Sequence, residues 1–464
     1  MIRLHDVLQG SGGTLEGDIS EQYLFNRVIH DSRYVQPGDL FVALRGEVTD
    51  GHLYVADARA RGATAALVRR DALDLARGAE LPLVVVDDTL AALHALATYW
   101  RSLFDLHVVG ITGSIGKSST KEVVGAVLAA RYNVAKSVRS YNNEVGLPIS
   151  VLEITPDTEV CVLEMGGAYA FGEITQLAKI ARPTIGIVTV VSHSHLSRMG
   201  SLEAIAQTKT ELVEALPPDG IAILNRDDER VYRMAEAASA RIVTYGLDPS
   251  ADYRAVNLES HGLGGISFTL VRNEQRDHVQ VPLLGRHSVH TALAGIAVGF
   301  ELGMSLEEIM RGFDRPNIQL RLLLSPGVSG STLLDDTYNA NPASSFAALA
   351  LLQELDARRR VAVFGDMLEL GDFEEEGHRM VGARIAVTAD LFFAYGPRAA
   401  IMAREAREAN PDMPIYHFDT KDALVEVLKH ELQAGDLVLI KGSRGIQMET
   451  VVAALRSVDE QDAG

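Results

Sequence analysis

Short apolar runs alternate along this chain with longer stretches whose apolar positions recur every three or four residues, and the two periods predict strands and helices in turn. From Leu106 onward the alternation is regular. Strands are expected at Leu106–Thr112, Val160–Leu163, Thr184–Val191, Ile221–Leu224 and Arg241–Tyr245, with helical stretches between most of them. Strands joined by helices form a parallel sheet. Residues 257–283 break the rhythm: Gly262, Gly264 and Gly265 stand between alternating segments, which predicts a small antiparallel insert. A further unit begins near Phe313, with strands at Thr332–Leu334, Val361–Phe364, Leu391–Tyr395, Ile415–Phe418 and Leu437–Ile440, each followed by a helical pattern. That is a doubly wound sheet, whose ligands sit beyond the carboxyl ends of its strands. The opening stretch is less regular, with strands at Leu40–Leu44 and Leu83–Val86, and a helix over 90–103 leading into the central unit. The fold class is α/β in three domains: residues 1–84, a linker helix over 85–105, a parallel-sheet domain over 106–313 and a Rossmann-like doubly wound domain over 314–464.

Composition narrows the functional classes. A chain of 464 residues suits about three domains. With 47% apolar and 23% charged residues it is ordinary globular protein, apart from a tail over 459–464 read as disordered. No run is long enough for a membrane span, and Arg3, His5 and Asp6 stand where a signal peptide needs an apolar core. A net charge of −19 disfavours nucleic acid and anionic membrane as partners, without excluding a local basic pocket for a phosphorylated small molecule. The single cysteine, Cys161, allows neither an internal disulfide nor a thiolate zinc site. A cytoplasmic monomer is expected.

The strongest chemical signal is Gly113-Ser114-Ile115-Gly116-Lys117-Ser118-Ser119, between a buried strand and a helix. Glycines let backbone N–H groups approach phosphate oxygens, and the helix N-terminus favours the anion. Lys117 would reach the β- and γ-phosphates, and the Ser118 hydroxyl would ligate Mg²⁺. Ile111 stands where a full GxxxxGK[ST] loop has its first glycine. Glu164 ends the next strand, where a carboxylate can hold the same Mg²⁺ or simply meet solvent. His193 and His195 follow a third strand, but no nearby Cys or His cluster completes a zinc site, so each is by default structural or solvent-facing. On the helix over 201–216, Lys209 falls on the apolar stripe of Leu202, Ile205, Leu212 and Leu216. Either its stem packs while the ammonium reaches water, or the amine is buried. In the third unit, the segment 334–342 puts Asp335, Asp336, Tyr338, Asn339 and Asn341 after a strand, which suits a ligand site or a polar turn. Phe364-Gly365-Asp366-Met367 and the segment 440–445 also end strands.

Taken together these segments resemble the Mur ligases, ATP-dependent amide-forming enzymes of peptidoglycan precursor synthesis. The resemblance runs through Asp31-Ser32-Arg33, the stretch 37–46, the phosphate loop, the stretch 142–148, Glu164-Met165-Gly166, His195-Leu196 and the stretch 224–228. Asp335 to Pro342, Gly365 to Gly371 and Lys441 to Gly445 resemble the member that adds D-alanyl-D-alanine. It implies a uridine-binding first domain, a central ATPase domain and a ligase domain. It further implies joining of D-alanyl-D-alanine to UDP-N-acetylmuramoyl-tripeptide through an acyl phosphate, with domain closure about hinges near 85–105 and 310–318. By the same resemblance, Ser118 and Glu164 would bind one Mg²⁺, and His195 with a carbamylated Lys209 a second. Asn225 would lie near the adenine, Arg321 near the γ-phosphate and Asp336 near the ribose, with His287 also at the nucleotide. Substrate would meet Ser32 and Arg33 at the uridine end, Asn142 and Asn143 at the acceptor end, and Tyr338, Asn339 and Asn341 in the last domain. At 285–291 the chain departs from the family's His-Asn-x-x-Asn, because Ser288 and Thr291 replace both asparagines. The sister ligase that adds the third residue, and a nucleotide-binding switch that ligates nothing, are the rival readings; the blocks before residue 55 count against the switch.

Overall fold

The computed structural model describes residues 1–46, 48–138, 140–167, 170–193, 196–315, 318 and 322–457, with 196 and 197 for their backbone alone. His195, Arg321 and the tail over 459–464 therefore lie outside the described residues.

The first unit is built from short strands: β1 (Ile2–Arg3), β2 (Thr14–Glu16), β3 (Leu24–Phe25), β4 (Val28–Ile29), β5 (Leu40–Val42), β6 (Ala65–Arg69) and β7 (Leu83–Val86). Five of them form a sheet in the order β2-β7-β6-β5-β4, with β2 antiparallel, while β1 and β3 pair apart. Most of these strands span two to five residues, too few for a period to be read, and only β5 and β7 were expected from the sequence. The helix Thr89–Ser102 follows, capped by Asp88, whose carboxylate accepts from the Leu90 and Ala91 N–H groups. It is no exposed linker. Leu93 and Leu96 are fully buried in a core that reaches from Ile2 and Val7 in the first unit to Val108 and Leu163 in the next. Trp100 adds a hydrogen bond from Nε1 to the Ile154 carbonyl at 3.0 Å.

The central strands are β8 (His107–Thr112), β9 (Val134–Lys136), β10 (Val160–Glu164), β11 (Ile185–Val188), β12 (Ile221–Asn225), β13 (Arg241–Gly246), β14 (Tyr253–Ser260), β15 (Ile266–Arg272) and β16 (Gln275–Val281). They lie in the order β16-β15-β14-β13-β12-β11-β8-β10-β9, parallel from β9 to β14 and antiparallel beyond. The antiparallel strands predicted over 257–283 are present, but they extend the main sheet instead of standing apart. β14 continues it by pairing parallel with β13 through Tyr245 and Tyr253. Helices cover both faces of the parallel part, so Val108, Val109, Ile111, Val160, Val162 and Ile187 are all fully buried.

The last unit holds β17 (Leu323–Pro326), β18 (Thr332–Asp336), β19 (Arg359–Gly365), β20 (Leu391–Tyr395), β21 (Ile415–Phe418) and β22 (Asp436–Lys441) in the order β17-β18-β22-β19-β20-β21. Only β17, an edge strand with Pro326 at its end, is antiparallel, and it was not expected. Because β22 inserts between β18 and β19, the ends of these three strands meet at the point where the strand order reverses. Among the described residues no helix is long and apolar enough to cross a membrane. Cys161 is buried in β10, and that burial pushes its thiol up to about 12.

Candidate active site

A cavity of about 1030 Å³ opens where the carboxyl ends of β8 and β10 face those of β18 and β22. Its central wall begins at the phosphate loop. Gly113 has φ +142, and a Cβ there would sit 1.9 Å from Thr189 Oγ1, so only glycine fits. Thr189 in turn donates to the Ile115 carbonyl at 2.6 Å, fixing the loop against the segment after β11. The helix Lys117–Leu128 starts directly behind, its first turn aimed at the cavity. Lys117 is half-buried, more enclosed than a surface lysine, and its ammonium donates to the Gly113 carbonyl at 2.6 Å.

Ser118 and Glu164 converge. The Ser118 hydroxyl donates to Glu164 Oε2 at 2.9 Å, and Asn142 Nδ2 donates to Oε1 at 2.8 Å. Glu164 is 2% exposed, and among the described residues no basic group pairs with it. A buried carboxylate held by neutral donors alone is costly unless a cation joins it. Hard oxygens from a hydroxyl and a carboxylate suit Mg²⁺, so the residues present fit that ion. Among the described residues no three His, Cys, Asp or Glu side chains cluster around a common point. Asn143, beside Asn142, accepts from the Gly146 N–H at 2.9 Å where the next helix begins, and both asparagines line the cavity.

Lys209 does not snorkel. It is 4% exposed, and Nζ donates to the Gly167 carbonyl. Burial first, then the nearby charge of Lys117, lowers its pKa to about 7. The helix Leu202–Glu214 that carries it is pinned by Glu211, whose carboxylate accepts from the Gly172 and Thr175 N–H groups. An amine that loses its proton near neutral pH therefore lines the same cavity as Lys117 and Glu164.

The opposite wall comes from the last unit. Asp336 and Lys441 are register partners at the ends of β18 and β22, and they form an ion pair with the lysine side chain 1% exposed. Lys441 Nζ also donates to the Asn339 carbonyl at 2.9 Å. Tyr338, Asn339 and Asn341 line the cavity, though the Asn341 side chain is already engaged as the cap of the helix Pro342–Glu354. His287, Ser288 and Thr291 line it from the central unit, with the Ser288 hydroxyl donating to the Leu284 carbonyl at 2.6 Å.

Some expected residues are not on this wall. Asn225 lies behind it: its amide donates to the Thr189 carbonyl at 2.9 Å and its oxygen accepts from the Asp227 N–H, so it braces the loop from the rear. Ser32 and Arg33 sit in a short turn of the first unit capped by Asp31, with Arg33 exposed and paired to that same aspartate at 2.7 Å. His195 and Arg321 fall outside the described residues. His193 is partly exposed, and its ring stacks on Phe373 of the last unit at 4.3 Å. Arg198 reaches Glu369 at 4.0 Å beside it, and Glu369 holds a left-handed backbone at φ +63. Sequence reasoning missed these two contacts between units. It singled out the segment 440–445, and with it Lys441 and Arg444, as a polar strand end, but gave neither residue a role.

Comparison with known proteins finds three family matches along the chain. The Mur ligase middle domain matches residues 111–299, the Mur ligase glutamate ligase domain residues 321–444, and the Mur ligase family catalytic domain residues 25–101. A UDP-N-acetylmuramoyl-tripeptide–D-alanyl-D-alanine ligase of Bacillus subtilis is 36% identical over 96% of this chain and 96% of its own length. The enzyme of the same name from Escherichia coli is 35% identical over 98% and 97%. Among solved structures, MurF from Acinetobacter baumannii superposes with a TM-score of 0.83 at 30% identity, over 97% of this chain and 98% of that one. MurF ligase from Thermotoga maritima in complex with ADP gives 0.77 at 27% identity, over 92% and 96%.

Proposed function

The chain belongs to the Mur ligase family, and from that membership we infer an ATP-dependent ligase that joins D-alanyl-D-alanine to UDP-N-acetylmuramoyl-tripeptide in peptidoglycan precursor synthesis. The observation that carries the reading is one cavity shared by the phosphate loop, the Ser118–Glu164 pair and the strand ends of the last unit. In the first step a carboxylate oxygen of the tripeptide takes the γ-phosphoryl group of ATP and ADP leaves. In the second the dipeptide amine attacks the acyl carbon, the C–N bond forms, phosphate departs with the C–O pair, and the amine gives up a proton.

The residues serve those steps as follows. Gly113 to Ser119 cradle the phosphates through backbone N–H groups, and the Lys117 ammonium turns from the Gly113 carbonyl to the phosphoryl oxygens. Ser118 and Glu164 would hold Mg²⁺, which when bound would neutralise charge on the transferred group. Lys209, with a pKa of about 7 that leaves about half of the amine neutral at that pH, would take up CO₂ at Nζ with loss of a proton, and its carbamate together with His195 would hold a second Mg²⁺. His287, Ser288, Thr291 and Asp336 line the cavity and would border the nucleoside, Asp336 at the ribose, and the family resemblance gives Arg321 the γ-phosphate. Asn225 acts behind the loop, by holding Thr189. Asn142 and Asn143 flank the acceptor carboxylate, and Tyr338, Asn339 and Asn341 border the incoming dipeptide.

Domain roles follow: residues 1–84, with Ser32 and Arg33, take the uridine end, 85–105 join them to the ATPase unit of 106–313, and 314–464 bring the amine substrate. The enzyme acts as a cytoplasmic monomer in this reading. Holding three reactants in line supplies most of the rate. The test is phosphate release from ATP with each substrate omitted in turn. Release that requires both UDP-N-acetylmuramoyl-tripeptide and D-alanyl-D-alanine supports the reading. Release with a free diamino acid and UDP-N-acetylmuramoyl-dipeptide instead would assign the chain to the sister ligase, and release with neither would make it a nucleotide switch.

A further inference from the structure

The dipeptide brings one charge that the reaction does not consume. Its amine must reach the acyl carbon beside the phosphate loop, so its carboxylate, two residues away, points toward the opposite wall. That wall carries two cations from β22 and the loop after it, Lys441 and Arg444. They differ in how their charge is spent. Lys441 is 1% exposed and neutralised by Asp336. Arg444 is exposed to the cavity, and among the described residues it has no acidic partner; its guanidinium lies 5.4 Å from the centre of the Tyr338 ring.

The loop that presents Arg444 is held at several points. Ser443 Oγ donates to the Ala340 carbonyl at 3.2 Å and accepts from the Leu368 N–H at 2.8 Å, while the Ser443 N–H donates to the Asp366 carbonyl at 3.1 Å. The ends of all three strands at the reversal point are thereby tied together, and Tyr338 gives the guanidinium a flat surface on which its plane is oriented. Beside it the cavity is lined by Leu368, Ala347 and Ala348, apolar and small, which suits methyl side chains better than a charged one.

We propose that Arg444 receives the terminal carboxylate of the incoming dipeptide, oriented by the Tyr338 ring, and so makes the enzyme selective for an amine substrate with a free carboxylate at its far end. The inference rests on the ligase reading above and adds to it the group that measures the length and charge of the dipeptide. A guanidinium pairs with a carboxylate through two parallel hydrogen bonds, which an uncharged amide cannot reproduce. Because this carboxylate is unchanged in the reaction, the interaction is equally strong in ground and transition states, and its loss falls on KM.

The experiment compares D-alanyl-D-alanine with D-alanyl-D-alaninamide in the wild-type enzyme and in Arg444→Gln and Arg444→Lys. Wild type should prefer the acid by roughly 10- to 100-fold in kcat/KM, the worth of one charge-assisted pair. Arg444→Gln should lose that preference through a higher KM for the acid, with KM for ATP and for the UDP-tripeptide unchanged. Arg444→Lys should keep part of it, since charge remains but the paired geometry does not. A wild-type preference retained in Arg444→Gln would overturn this inference alone, as would a loss that falls on ATP or the UDP-tripeptide. Absence of any turnover of the dipeptide by wild type would overturn the ligase reading and this inference with it.

Discussion

The Ser118 hydroxyl donates to the Glu164 carboxylate at 2.9 Å, although 46 residues separate the two along the chain. One begins the helix behind the phosphate loop and the other ends a neighbouring strand, and both are buried. Glu164→Gln keeps the shape and removes the charge; its oxygen can still accept from Asn142, while the contact to the Ser118 hydroxyl must reverse direction. It should lower kcat by on the order of 100-fold or more and raise the Mg²⁺ concentration for half-maximal activity. Ser118→Ala should act in the same direction by about 10- to 100-fold. Steady-state rates across a Mg²⁺ titration read both, and unchanged Mg²⁺ dependence in both variants would remove the metal assignment.

Lys117→Ala should abolish ATP turnover and leave the fold in place. The ammonium bonds to loop carbonyls, so its removal should change unfolding stability by no more than about 1 kcal/mol. Phosphate release and a urea titration on the same sample test the two halves separately. Near-normal release by the folded variant would discard the phosphate-loop role.

Lys209 makes a prediction in pH. Its pKa of about 7 means that the neutral amine, the form able to take up CO₂, predominates above that value. Activity should therefore fall as pH drops through about 7, and bicarbonate added at constant pH should move the fall downward. Stability should follow the same sign in CO₂-free buffer. Between about 7 and the ordinary 10.5 the unfolded chain holds the proton and the folded one does not, so stability rises with pH. Lys209→Arg should be nearly inactive, because a guanidinium forms no carbamate, and Lys209→Ala should be partly rescued by a small carboxylate. Full activity in Lys209→Arg would sink the carbamate.

The Asp336–Lys441 pair predicts a change in stability. Asp336→Asn leaves a buried ammonium without its counter-charge, which costs about 3–5 kcal/mol when one partner of a buried pair is lost. Replacing both, as Asp336→Leu with Lys441→Met, should recover most of that stability without recovering activity. Urea unfolding monitored for the two variants decides it: equal losses would mean that the pair is not what holds the ends of β18 and β22.

Local pattern alone determined the α/β class, the strands of both large sheets except β9, β14 to β17 as individual elements, the phosphate loop, and Lys209 as a lysine out of place. These are features of period and spacing within a dozen residues. The first unit was mostly illegible because strands such as β1, β3 and β4, of two residues each, carry no period, and their pairing is set by partners far along the chain. Whether Lys209 snorkels or is buried was open in the sequence; packing of its helix through Glu211 decided it, since a pinned helix cannot turn the ammonium to water. Tertiary structure alone joined Asp336 to Lys441 and His193 to Phe373, and left Arg444 without an acid beside it among the described residues. The reason is physical. A strand order in which β22 inserts between β18 and β19 brings together residues about a hundred positions apart, and which charges then neutralise each other depends on register, which only the folded sheet sets.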